Sequence, residues 1–523
     1  MDLRKQLRSV PVAKPLVAIA QFLAVGVLFG LAYVQDPIYH SPENQNTKYL
    51  QGLAHAGHGF LSNDWTANTL DPLPAFTALV QVTYQFIHPE YAFYGYYFLI
   101  FAVYAYSLLG IVSYVFKFNQ SRAKCLVFLA LLILTHSVEI EIFDVNTDWV
   151  LQAGVAQQYI LGPVFQPCNF GAFILLSIWV FLQRRPFLAV VLLALAGTLH
   201  PAYFPSVGAL TLAYMAVILK DDRNWKKALA VGIVSGLLIL PVFSYMYFAF
   251  ADTNPELAQR ATDIIVNERI PHHSIPAVWL DGEGAYFQTI WVAIAIGLVR
   301  HTPLATILLI PYAIAVSLTG VQMLTDSDTL AFIAPWRISV FLVPVATGII
   351  LGQFVSWLFR KFHRTALQHQ SFIARASIAV ILTLSIIGGY HQVQVLQAED
   401  ETFPMMKFVR AHLQAEQTYL IPPDSKELRK FRLYTGAPIL VNRKTHPYQD
   451  IEVIEWNNRL ELGKDFYTVK RRRSCRMLRN EFSDYGITHV VLPKENFKSR
   501  CRRLVELYQD EEYGVYSAEK LID

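Results

Sequence analysis

The chain has 523 residues, of which 54% are hydrophobic and 16% charged, against roughly 25% charged in ordinary soluble domains. With 26 Gly, 26 Pro and 4 Cys, this composition excludes a disordered chain, a collagen-like fibre and a disulfide-dense miniprotein. A net charge of +4 is too small at this length for a nucleic-acid binder, so the reading begins from a protein of the membrane.

A helix crosses the hydrocarbon core with about 17 to 25 apolar residues, and by that rule about eleven segments qualify, some of them short. They are 15–34, 91–116, 125–143, 160–182, 187–199 and 203–219, then 228–250, 286–299, 303–324, 338–358 and 372–389. The first follows a basic stretch, as a signal peptide does. It is longer than the usual apolar core of one, however, and leads into Gln35-Asp36-Pro37 rather than a small-residue cleavage site, so it reads as a retained helix. Segment 74–87 begins at Pro72-Leu73-Pro74 and stops at His88-Pro89, and is predicted to be an interfacial helix.

Lys and Arg give the orientation. One set of span ends carries eighteen of them, from Arg4, Lys5 and Arg8 to Arg364 and Arg375. The opposite set holds only Lys48, Arg260, Arg269 and Arg337 before the last span. Positive charge stays in the cytoplasm, so the N-terminus is predicted inside and everything after Tyr390 outside, in a plasma (inner) membrane. The expected architecture is an α-helical polytopic membrane domain over 1–392, with long outer loops 35–90, 139–159 and 251–285, followed by a small α/β extracytoplasmic domain over 393–523. The tail carries 22 Lys and Arg against 20 Asp and Glu. Short apolar runs at 419–421, 438–441, 489–492 and 514–516 alternate there with helical stretches at 405–413, 426–434, 451–462 and 472–482. Cys475 and Cys501 both fall on the oxidising side, where a disulfide between them competes with two separate thiols.

No phosphate-binding Gly-rich loop, dinucleotide fingerprint, His-Glu-x-x-His or Cys-x-x-Cys occurs, and no charged residue lies at the centre of a span. ATP-driven export, zinc proteolysis and ion-coupled transport lose weight accordingly. Polar chemistry gathers instead at the outer mouths: Asp36, Glu43 and Asp64 in the first loop, Glu139, Glu141, Asp144 and Asp148 in the second, Arg269, His272 and His273 in the third, and Arg337 at a span entrance. Carboxylates and imidazoles can deprotonate an acceptor hydroxyl, and juxtamembrane arginines can hold a lipid phosphate. Each residue also has a plainer reading: Asp64 or Asp144 caps a helix, and His272-His273 packs under the tail. The His pair with outer carboxylates leaves room for a divalent cation, although adjacent His lack helical ligand spacing.

This layout resembles the C-type membrane glycosyltransferases (GT-C), which share many spans, a long first outer loop with interfacial helices, an acidic catalytic residue in that loop and often an outer C-terminal domain. The resemblance implies transfer of a sugar from a polyprenyl-phosphate carrier on the outer face, with membrane lipid as partner. Many members have an acidic pair after the first span, ahead of a Tyr; here the stretch is Asn44-Gln45-Asn46 before Tyr49. The base then falls to Asp36, Glu43 or Asp64. More locally, Gly52-Leu53-Ala54-His55-Ala56-Gly57 with Phe60-Leu61 and Asp64-Trp65, Arg269-Ile270-Pro271-His272-His273, and Thr435-Gly436-Ala437-Pro438 with Glu455-Trp456 are similar to an uncharacterised family of bacterial polytopic proteins. The rival expectation is a non-enzymatic transporter, flippase or assembly partner in envelope polysaccharide export.

Overall fold

The computed structural model describes residues 13–42, 44–87, 90–139, 141–142, 145–499 and 501–518. Among them seven helices are long and apolar enough to cross a membrane, from Leu16–Tyr33 and Tyr91–Phe116 to Asp328–Lys361 and Gln370–Gln397. Three shorter apolar helices, Pro167–Leu182, Pro186–Leu199 and Gly284–Leu298, account for much of the difference from the expected eleven. Two expected spans are also cut short. The helix Arg122–Ser137 stops before a two-residue hairpin, β1 (Glu141–Ile142) and β2 (Val145–Asn146). Residues 160–166 are irregular, and the helix expected there begins only at Pro167, whose ring suits a helix start.

The helix Gln370–Gln397 packs between Ala13–Tyr33 and Arg122–Ser137, so the end of the membrane part closes against its beginning. Basic loops converge at one end of the bundle, where Arg184 and Lys227 both pair with Asp222, at 2.7 and 2.9 Å. Lys124 lies 5.8 Å above the Phe359 ring at that end. The expected interfacial segment forms the helix Pro74–Phe86, packed on the short helix Leu50–His55.

The tail is an α/β unit. Its sheet runs in the order β3 (Tyr419–Leu420), β4 (His489–Pro493), β6 (Tyr513–Ser517), β5 (Val505–Gln509), with β3 and β4 parallel and the other pairs antiparallel. β4 reads as an unbroken apolar run because both faces are covered. Val490 joins Trp456, Leu460 and Phe482 on one side, and Val491 joins Phe403, Phe431 and Val515 on the other. The expected strand at 438–441 makes only an isolated bridge from Ile439 to Tyr419. β5 escaped the sequence reading because it is a short, mostly exposed edge strand. A Cys475–Cys501 disulfide, Cα to Cα 5.0 Å, ties the helix Arg471–Asn480 to the chain before β5, while Cys125 and Cys168 are free.

Candidate functional site

The first loop and the tail meet through backbone. Gly57 and Gly59 have φ of +82° and +54°, and Gly436 has φ of +74°. A Cβ on Gly59 would stand 2.5 Å from the Gly436 carbonyl oxygen, so only glycine permits the approach that lets Phe60 N–H donate to that oxygen at 2.9 Å. Beside it, the His58 ring contacts the Tyr84 hydroxyl at 2.9 Å and the Leu433 carbonyl at 2.7 Å. Asp64 is wholly buried here. Its Oδ1 accepts from Arg432 at 2.9 Å and from the Ala67 N–H at 3.2 Å, and its Oδ2 accepts from the Ile439 N–H at 3.0 Å. The carboxylate joins the first loop to the tail, and it is not among the residues lining the large cavity beside it.

A cavity of about 1010 Å³ lies alongside, between the first loop, the ends of the bundle helices and the tail. Four separate elements each put one cation into its wall: Lys48, Arg269, Arg337 and Lys444. Arg269 donates to the Lys444 carbonyl at 2.7 Å, yet its Nε is buried without a partner, and burial pushes its pKa down to about 10. The segment carrying Lys444 is fixed from two sides. Thr47 Oγ1 donates to the Lys444 carbonyl at 3.2 Å, and Trp456 Nε1 donates to the Asn442 carbonyl at 3.1 Å. That segment also supplies His446, whose ring is buried, and Tyr448. Burial raises the Tyr448 phenol, but Lys48, Arg337 and Arg269 outweigh it and leave the group below its ordinary value. The lining carboxylates are Asp252 and Asp450, and Asp450 is occupied by the Thr253 N–H and hydroxyl, both at 2.8 Å.

His272 and His273 stand side by side with ring centroids 4.1 Å apart. His273 Nδ1 donates to the Ala156 carbonyl at 2.7 Å, and burial, with His272 and the nearby arginines, pushes its pKa down to about 3. His272 makes no hydrogen bond among the described residues, and burial, then Arg269 and Lys444, keeps its pKa below the ordinary value. On another wall Asn44 donates to the Tyr159 hydroxyl at 2.8 Å and Trp149 packs on Tyr159 with centroids 5.1 Å apart. The mouth is apolar, with Phe243, Met246, Tyr247, Phe250, Phe332 and Ile333 along it, and Tyr247 is 67% exposed.

Of the residues expected from sequence, the structure brings Arg269, His272, His273 and Arg337 together in this one cavity. It does not bring the described carboxylates there. Asp36 accepts from the Ser41 hydroxyl at 2.6 Å near the end of the first helix. Glu139 accepts from Asn146 at 2.6 Å, Glu141 is exposed on β1, and Asp148 is half-buried with its Oδ1 unpartnered. Glu43 and Asp144 lie outside the described residues. Among the described residues no group of three or more His, Cys, Asp and Glu could hold a metal ion. Sequence reasoning missed Lys444, His446 and Tyr448, and the amide and aromatic wall around Tyr159.

Over nearly its whole length the chain superposes on the apo crystal structure of ArnT from Cupriavidus metallidurans, covering 98% of this chain and 100% of that one, with a TM-score of 0.52 and 11% identity. The chain has a GT-C-like fold. The same enzyme bound to undecaprenyl phosphate matches over the same lengths, also at 11% identity, with a TM-score of 0.45. Residues 400–462 match a domain of unknown function, DUF6798, which spans the first tail helix, β3 and most of the helix Asp450–Thr468. No curated protein matches the chain. The matched segment contains Arg432, Lys444, His446 and Tyr448, so the uncharacterised domain supplies the tail partner of Asp64 and part of the cavity lining.

Proposed function

We propose that the chain is a membrane glycosyltransferase that moves a sugar from a polyprenyl-phosphate-linked donor to an acceptor hydroxyl on the outer face of the inner membrane, with its basic helix ends in the cytoplasm. The observation that carries this reading is the cluster of Lys48, Arg269, Arg337 and Lys444 around one cavity that opens through an apolar mouth. Cations kept half-buried with few counter-charges favour an anionic ligand, because desolvating a lone charge is costly. An apolar mouth beside them suits a phosphate that arrives on a hydrocarbon chain.

In this reading the acceptor oxygen bonds to the anomeric carbon as the bond from that carbon to the phosphate oxygen breaks. The electron pair leaves with the polyprenyl phosphate, whose growing charge the chain's own cations stabilise. The acceptor proton passes to His272, which is kept neutral in the cavity and has a free ring nitrogen among the described residues. Asp64, fully engaged by Arg432 and backbone, has no part in the step.

Purified protein in lipid nanodiscs, given radiolabelled polyprenyl-phosphate glucose and an envelope fraction as acceptor, tests the proposal. Label is expected to pass from lipid to acceptor with the wild type and to stay on the lipid with His272→Ala and Arg337→Ala. Transfer by both variants at the wild-type rate contradicts it.

A further inference from the structure

The cavity lining has two chemistries. Besides the cations it includes Asn44, Trp149, Gln157, Gln158, Tyr159 and Gln166. None of these six side chains is charged. Asn44 and Gln166 converge on one phenol, donating to the Tyr159 hydroxyl at 2.8 and 3.3 Å. Gln158 donates to the Ala156 carbonyl at 3.1 Å, next to His273. Ala156 and Gln157 both have φ of +57°, a left-handed conformation that costs non-glycine residues free energy and tends to persist where a site needs it. The kink leaves Gln157 exposed on the cavity wall. Trp149 and Tyr159 add aromatic surface, of the kind that covers the C–H faces of a pyranose while amides meet its hydroxyls.

The two chemistries share an element. Asn44 precedes the helix Gln45–Lys48, so the backbones of Asn44 and Lys48 are about one helical turn apart, roughly 6 Å along the axis. A phosphate among the cations therefore places a directly attached group against the amides. Those six side chains offer an ammonium no carboxylate, and of the two carboxylates elsewhere in the described lining, Asp252 and Asp450, the second is occupied by Thr253.

We infer that this wall is the subsite for the transferred group, and that it selects a neutral, hydroxyl-bearing sugar over an amino sugar. The inference rests on the proposed lipid-phosphate donor and names the class of sugar it carries. Asn44-Gln45-Asn46, which departs from the acidic pair of many GT-C chains, then contributes a selectivity residue at Asn44. Its two neighbours serve the fold: Gln45 donates to the Pro37 carbonyl at 2.9 Å and Asn46 to the Ser41 carbonyl at 2.7 Å.

Equilibrium binding of three probes to the full-length protein in nanodiscs tests this: farnesyl phosphate, farnesyl-phosphate glucose and farnesyl-phosphate glucosamine. Glucose is expected to improve binding at least tenfold over the bare phosphate, and glucosamine to give no improvement. Trp149→Ala and Gln157→Ala should each remove most of the glucose increment while leaving the affinity for the bare phosphate unchanged. Asn44→Asp should move the preference toward glucosamine by about tenfold. If bare phosphate binds but glucose adds nothing, or glucosamine binds best, the subsite is overturned while the donor reading stands. Equal weakening of all three probes by Trp149→Ala and Gln157→Ala overturns the subsite in the same way. If none of the probes binds, the donor reading itself has failed.

Discussion

Asp64 and Arg337 are both charged residues near the meeting of the first loop, the helix bundle and the tail, and the structure treats them in opposite ways. Asp64 is sealed against Arg432 at 2.9 Å, with both side chains fully buried. Arg337 faces a cavity with three other cations around it and no side-chain partner among the described residues. A charge that has its counter-charge within the chain holds the fold, whereas one left without it is held for something that arrives. The two sites should therefore respond oppositely to substitution.

The largest effect is expected at the sealed site. Asp64→Ala leaves the Arg432 guanidinium buried and uncompensated, which typically costs about 3–5 kcal/mol. A thermal melt of the protein in detergent should show a clear loss of stability, and the Asp64→Leu/Arg432→Met double variant should recover part of it. A melt unchanged by Asp64→Ala would break the comparison from that side. Removing the disulfide by Cys475→Ser is expected to cost about 3 kcal/mol through a freer unfolded chain, read by the same melt with and without reductant.

At the open site the sign should differ. Arg337→Ala removes one of several like charges, so stability should hold or rise slightly, while affinity for farnesyl phosphate falls about 10- to 100-fold, the loss of one or two charge-assisted hydrogen bonds. A loss of stability as large as that of Asp64→Ala would place Arg337 in the fold instead.

The smallest effects are in pH dependence. His272 must be neutral to accept a proton, and its pKa is lowered below 6.5, so transfer should persist as pH falls past 6.5 and decline only at lower pH, as the imidazole takes up a proton. Tyr448 also has a lowered pKa, so its ionisation below pH 10 puts an anion among the cations proposed to hold the phosphate. Donor affinity should weaken on that limb, and Tyr448→Phe should move the loss to higher pH, where Arg269, pushed down to about 10, begins to lose its own charge.

Much of the fold was legible in the sequence because its causes are local. Long apolar runs made the spans, and the apolar run His489-Val490-Val491-Leu492 marked the central strand of the tail. Short helices such as Pro186–Leu199 made the span count uncertain, since length alone does not say whether a packed helix crosses. The site was legible only in part. Arg269, His272, His273 and Arg337 stood out as charges and imidazoles in a charge-poor region. Asp64 looked like a base for the same reason, and nothing nearby in the sequence announces a partner 368 residues away. Lys444 sits in a tail where Lys and Arg nearly balance Asp and Glu, so its role arises only when the chain folds it back against Thr47 and Arg269.

The most direct test of the account is single-turnover transfer of label from polyprenyl-phosphate glucose by wild-type and Arg337→Ala protein, with a thermal melt taken on the same preparations. The account predicts transfer by the wild type, loss of transfer in the variant and matching melts. Equal transfer by both, or none by a folded wild-type protein that has bound the donor, would contradict it.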